Sequence, residues 1–284
     1  MRSESEVLSA LRSLAAGDDR IRVALLNGSR VNPAHSPDLL SDYDVLLSVT
    51  DVESFVRDES WIAAFGAVLL MQRPHNPPPR HTWLIVYADG VRIDFTCSPL
   101  DQLDADVRAD SLTALLFDKD GRCPPLLPAT ETSYYVPRPG AAEFAATFNE
   151  FWWVLVYAAK GLWRNQLPYA KHTFDVIVRG EMMTILSWYA SAHHGWAVNP
   201  GSYGKYLPRL LPPATWQEYQ STFAGAAAGE NWHALFAAAT LVQRLGSELS
   251  DLLGLHYNAG EGENALRLIR AIHNTQPGAG DLAL

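Results

Sequence analysis

The sequence predicts an α+β protein: a mixed sheet with helices over residues 1–135, followed by a helical bundle over 136–284. Three observations carry this reading. Short apolar runs bounded by turn residues alternate with amphipathic stretches in the first half. Residues 124–140 hold five prolines and read as an extended linker. Beyond them helical patterns dominate, and most of the tryptophans lie there, as suits packed helices.

The elements follow in order. Residues 7–16 (V-L-S-A-L-R-S-L-A-A) carry apolar side chains at helical spacing and stop before Gly17. Residues 21–26 (I-R-V-A-L-L) form a short apolar run ending at Asn27-Gly28, a buried strand that stops at a turn. Residues 43–49 (Y-D-V-L-L-S-V) read as a second strand. Residues 52–65 read as one amphipathic helix ending at Gly66, and 67–71 as a third strand. The prolines of 73–80 lack the donors a central strand needs. Residues 83–87 and 91–97 flank Asp89-Gly90, so they predict an antiparallel hairpin. After the linker, helices are expected over 141–164, 169–192, 215–228, 232–253 and 263–273, with a frayed tail over 276–284.

Composition narrows the function. The 284 residues are 48% apolar, enough for a full core, and the formal charge is -9. That balance argues against a phosphate-backbone footprint, so no nucleic-acid partner is expected, and it suits a cationic small molecule. Two cysteines, Cys97 and Cys123, cannot build a disulfide framework or a four-cysteine zinc site. The nine histidines show no metal spacing. The acidic start lacks the apolar core of a signal peptide, and no apolar stretch is long enough to span a membrane. A cytoplasmic protein without a membrane partner is therefore expected.

The chemistry concentrates in three segments. Asp42 and Asp44 open the strand at 43–49, and side chains two apart on a strand share a face. Paired carboxylates need a counter-charge, which Mg²⁺ supplies through oxygen ligation. Gly28 and Ser29 follow the first strand, where glycine lets the backbone approach a ligand and serine offers a hydroxyl and an amide. Arg30 adds a cation for a charge-assisted phosphate contact. Asp94 sits on the hairpin's second strand, with Arg92 on the same face. Taken alone it reads as the partner of Arg92; beside a carboxylate pair it reads as a metal ligand or a general base. The joint order of strand, G-S-R, D-x-D opening a strand, and one later acid describes the nucleotidyltransferase core shared with beta-type polymerases.

Longer segments sharpen this. N-G-S-R-V-N-P at 27–33, S-D-Y-D at 41–44 and D-G-V-R-I-D at 89–94 resemble the aminoglycoside 6-adenylyltransferases, or streptomycin adenylyltransferases. The similarity continues through L-F-D-K-D-G at 116–121, N-E-F-W-W at 149–153, A-K-G-L-W-R at 159–164, L-P-Y-A-K at 167–171 and G-K-Y-L at 204–207. The resemblance implies Mg²⁺-dependent transfer of AMP from ATP to a hydroxyl of streptomycin, with pyrophosphate leaving. Asp42 and Asp44 would hold the ion, Ser29 would touch the triphosphate, and Asp94 would be base or further ligand. The same N-terminal motifs also allow a different small-molecule or protein hydroxyl as acceptor.

In the helical half, Lys160 shares a face with Arg164, and Lys171 follows the Pro168 break. Lys160 and Lys171 are candidates for the nucleotide phosphates, or else ordinary solvent-facing charges. Glu150 heads the aromatic run Phe151-Trp152-Trp153. Glu150 and Trp153 are the candidates for a cationic acceptor, through charge and a cation–π face, while at least one of Trp152 and Trp153 is expected to be core. Asp118 and Asp120 read as a solvated turn.

Overall fold

A computed structural model describes residues 1–276, 279, 281 and 282. It divides into two compact units, Met1–Ser133 and Tyr134–Leu284.

In the first unit, helix α1 (Glu4–Gly17) is capped by Ser3 in a reciprocal box with Glu6 and buries Val7, Leu11 and Ala15. The strands are β1 (Ile21–Asn27), β2 (Tyr43–Val49), β3 (Val68–Gln72), β4 (His81–Tyr87), β5 (Arg92–Pro99) and β6 (Thr113–Asp118). They form one mixed sheet ordered β3-β4-β5-β2-β1-β6. Only the β2–β5 pairing is parallel; the others run antiparallel. The interior strand β1 is fully buried from Val23 to Leu26, which is why that part of its sequence is apolar throughout rather than alternating. On β5 the alternation is clean: Ile93, Phe95 and Cys97 are buried, and Arg92, Asp94 and Thr96 lie on the other face.

The expected helix over 52–65 is in fact two pieces, α2 (Val52–Arg57) and a tighter turn at Ser60–Phe65. Asp58 takes extended backbone and its carboxylate accepts the Ser60 amide, so a local side-chain bond ends one helix and starts the next. Helix α3 (Leu103–Ala109) and strand β6 have no counterpart in the sequence pattern. Asp118 accepts the amides of Asp120, Arg122 and Cys123, and Asp120 pairs with Arg22, so this segment is the turn the sequence suggests.

The second unit comprises α4 (Ala141–Trp163), α5 (Leu167–His172), α6 (Arg179–His193), α7 (Leu207–Leu210), α8 (Pro213–Gln220), α9 (Ala228–Leu253) and α10 (Ala259–Asn274). Its core gathers Phe144, Phe151, Trp152, Trp188, Leu235 and Leu245, among others. A wider π-helical turn at Thr173–Val178 joins α5 to α6, so the stretch expected as one helix is not uniform. Helix α8 stops eight residues before the expected end at 228. Thr222 turns its hydroxyl onto the Tyr219 carbonyl, and Arg179 takes the Thr222 carbonyl. Most of the tail expected to fray lies outside the described residues. No helix of the described residues is long and apolar enough to cross a membrane.

Candidate active site

The parallel pairing of β2 with β5 places Asp44 directly across from Asp94. Register partners on adjacent strands point to the same face, so the two carboxylates stand side by side. Asp42 precedes β2 and is bound to the same group: the Arg92 guanidinium reaches Asp42 Oδ2 at 3.1 Å. Arg92 also donates to both Asp94 oxygens, from Nε at 2.9 Å and from Nη2 at 2.7 Å. The sequence reading of Asp94 as the partner of Arg92 is therefore present in the structure, and it coexists with the clustering of all three acids.

The cluster is electrostatically strained. Burial, followed by the neighbouring Asp94 and Asp42, pushes Asp44 up to about 6. Burial also raises Asp42, against the opposing pull of Arg92. Gly28 lies against this carboxylate. It holds φ +74°, and a Cβ built there would sit 2.5 Å from Asp44 Oδ2, so only glycine serves at this position. Ser29 follows in a short turn, Gly28–Val31.

Arg30 has internal partners. It donates to the carbonyls of Asp42 at 3.1 Å and Ser41 at 2.6 Å, and its guanidinium lies 3.6 Å from the centre of the Tyr43 ring. Its side chain is only 8% exposed. Arg30 thus fixes the backbone that carries Asp42, where the sequence points to a phosphate contact. A cleft of about 430 Å³ opens beside Asp42, Arg92 and Arg30.

Asp110 and Thr113 stand beside the cluster with no signal in the sequence reading, and Asn27 joins them in a role its turn position does not announce. Asn27 pairs with Asp44 in the β1–β2 register and donates to Thr113 Oγ1 at 2.8 Å and Asp110 Oδ2 at 3.3 Å. Its Oδ1 is buried with no protein partner. Asp110 adds a fourth negative charge acting on Asp44. In the sequence Asn27 is only a turn signal and Asp110 has no local motif, since both act through the long-range pairing of β1 with β6.

In the second unit, Trp152 is 1% exposed and belongs to the core, whereas Trp153 is 61% exposed. Trp153 Nε1 donates to the Tyr157 hydroxyl at 2.8 Å, and Lys160 Nζ lies 5.6 Å from the Tyr157 ring centre. Trp153, Tyr157 and Lys160 line a cleft of about 290 Å³ with Glu261 and Asn264. Glu150 is exposed on α4 outside that lining, and its charge contributes to raising Glu181, after burial. Lys171 is engaged internally, 2.7 Å from Asp175 and donating to the Ala224 carbonyl at 2.9 Å.

The donor set suits a hard divalent cation: aligned carboxylate oxygens whose mutual repulsion is only partly relieved. As it stands, though, no group of three or more His, Cys, Asp or Glu side chains among the described residues is arranged to hold a metal ion. The Arg92 guanidinium engages oxygens of Asp42 and Asp94.

Comparison with known proteins adds an independent line. The family model of streptomycin adenylyltransferase matches residues 1–272. An aminoglycoside 6-adenylyltransferase from Bacillus subtilis (strain 168) is 33% identical over 265 residues, covering 90% of this chain and 93% of the relative. One from Campylobacter jejuni is 32% identical over 265 residues, covering 90% and 91%. The crystal structure of an aminoglycoside 6-adenyltransferase from Bacillus subtilis superposes with a TM-score of 0.50 at 27% identity, covering 97% of this chain and 100% of that one.

Proposed function

The chain belongs to the streptomycin adenylyltransferase family, and from that premise we propose that it transfers AMP from ATP to a hydroxyl of a streptomycin-type aminoglycoside, with Mg²⁺ required and pyrophosphate leaving. The observation that carries this reading is the alignment of Asp44 with Asp94 on parallel strands, with Asp42 tied to Asp94 through Arg92.

The roles follow from chemistry and position. Asp42 and Asp44, with Asp94 as a further ligand or as base, are the residues to hold Mg²⁺. When bound, the ion neutralises the triphosphate and polarises the α-phosphoryl group. Gly28 leaves room beside Asp44, and the Ser29 amide and hydroxyl are offered to the triphosphate. In the transfer, the acceptor oxygen forms a bond to the α-phosphorus as the bond to the bridging oxygen breaks. The hydroxyl proton passes to the Asp94 carboxylate, and pyrophosphate departs. Orientation and charge neutralisation supply most of the rate.

In the second unit, Trp153 offers an exposed aromatic face and Glu150 an exposed carboxylate, both suited to a cationic acceptor. Lys160 is the phosphate candidate there. Lys171 is a weaker one, because Asp175 and Ala224 engage its ammonium. A cytoplasmic location, where ATP is at hand, goes with this reading.

Mass spectrometry of streptomycin incubated with the purified protein, ATP and Mg²⁺ tests it. A gain of one AMP group is expected, lost in Asp44→Asn. If neither streptomycin nor any other aminoglycoside in a panel gains that mass, the acceptor class is wrong.

A further inference from the structure

Three carboxylates, Asp94, Asp42 and Asp110, act on Asp44, and Asp94 also acts on Asp42. Two arginines stand among them, and their tasks differ. Arg30 is buried and donates to backbone carbonyls of the segment before β2. Arg92 instead puts its guanidinium on the carboxylate oxygens, with three N–H groups directed at Asp42 and Asp94.

We propose that Arg92 is the resident counter-cation of this cluster, and that it and a divalent ion exclude one another from the same oxygens. Arg92 is thereby a positioning residue: it holds Asp42 and Asp94 together before the ion arrives and must withdraw from them when it does. This deepens the function proposed above and rests on its assignment of the three carboxylates.

Three features support the exchange. Both Asp94 oxygens and one of Asp42 face a guanidinium nitrogen at 2.7–3.1 Å, so an ion on those oxygens would sit against a positive charge. The Arg92 side chain is 41% exposed, while Asp94 is 13% exposed, so the cation is the partner with freedom to leave. Arg92 also lines the cleft of about 430 Å³ beside Asp42, which gives a withdrawn side chain a place to go by rotation about its own bonds. Withdrawal also clears both Asp94 oxygens, which the two-pronged guanidinium otherwise occupies.

Titration of the full chain with Mn²⁺ alone, following free Mn²⁺ by electron paramagnetic resonance, decides the matter. Wild type is compared with Arg92→Met, Arg92→Lys and Asp44→Asn. Arg92→Met is expected to bind Mn²⁺ about tenfold more tightly than wild type. A purely structural arginine would give the opposite sign, because a disordered cluster binds ions less well. Arg92→Lys, a point charge that cannot fork across both acids, is expected to fall between the two, and it serves if Arg92→Met does not fold. The gain should persist at about 0.5 M salt, where long-range fields are screened but direct exclusion is not. If Asp44→Asn loses Mn²⁺ while neither Arg92 variant binds it more tightly, the exclusion is wrong and the carboxylate site stands. If Asp44→Asn binds Mn²⁺ like wild type, the site assignment falls and takes the exclusion with it.

Discussion

Asp44 lies directly opposite Asp94 across the parallel strands β2 and β5. Burial, and after it the like charges of Asp94 and Asp42, oppose the ionised form of Asp44 and push it up to about 6. The sign is definite. A carboxyl whose folded value exceeds its ordinary 3.8 binds more protons folded than unfolded, so stability falls as pH rises from 3.8 through about 6. Asp44→Asn removes that penalty. In metal-free buffer it should stabilise the first unit by about 1–3 kcal/mol at pH 7–8 and by almost nothing near pH 4. The same variant should lose about 10³-fold or more in AMP transfer. Thermal melts across pH beside activity assays check both. A variant no more stable than wild type at pH 8 would show that ionised Asp44 carries no penalty from burial and its acidic neighbours.

Gly28 supplies a second test at the same place. Its φ of +74° disfavours any side chain, and a Cβ would meet Asp44 Oδ2 at 2.5 Å. Gly28→Ala should therefore cost about 1–2 kcal/mol in stability and displace the carboxylate. The expected kinetic signature is a fall in kcat of about tenfold or more. Near wild-type turnover would mean the tight approach of Gly28 to Asp44 has no part in the chemistry.

Both of these predictions stand on elements that local sequence pattern encodes. The runs at 21–26 and 43–49 are apolar and end at turn or charged residues, and both are strands. The Asp89-Gly90 turn forces the hairpin, and alternation alone puts Arg92 on the face of Asp94. Strand β6 is not legible in this way. Its six residues have no period of their own and become a strand only through pairing with β1, about ninety positions earlier. Asn27 and Asp110 escape for the same reason. The bridge from Arg92 to Asp42 joins segments fifty residues apart, and no local pattern encodes it. The break at Asp58 is hidden because apolar spacing continues across it, while a single side-chain bond to the Ser60 amide ends the helix.

Burial of charge also sets a stability test away from the site. Asp106 on α3 has a fully buried side chain, and its Oδ1 is held by Arg80 from the proline-rich loop, while Oδ2 has no protein partner. Removing the cation leaves a buried charge alone. Arg80→Ala should cost about 3 kcal/mol, and Asp106→Asn should recover part of that in the double variant. Chemical denaturation of the four proteins gives the coupling. Additive effects would mean that the pair does not act as a unit.

The two adjacent tryptophans separate structure from recognition. Trp152 is buried against Phe151, with ring centres 4.9 Å apart, in the core of the second unit. Trp153 turns outward, and its indole N–H bonds to the Tyr157 hydroxyl. Trp152→Ala should destabilise the helical unit by about 3–5 kcal/mol through the cavity it leaves. Trp153→Ala should change stability by no more than about 0.5 kcal/mol, because little is buried there. If its indole face receives a cationic acceptor, the cost appears in binding instead: KM for the aminoglycoside should rise about tenfold with kcat and the KM for ATP little changed. Trp153→Phe keeps an aromatic face and should retain most of the affinity. Steady-state kinetics with each substrate varied in turn resolves these cases, and an unchanged acceptor KM in Trp153→Ala would remove this tryptophan from the acceptor site.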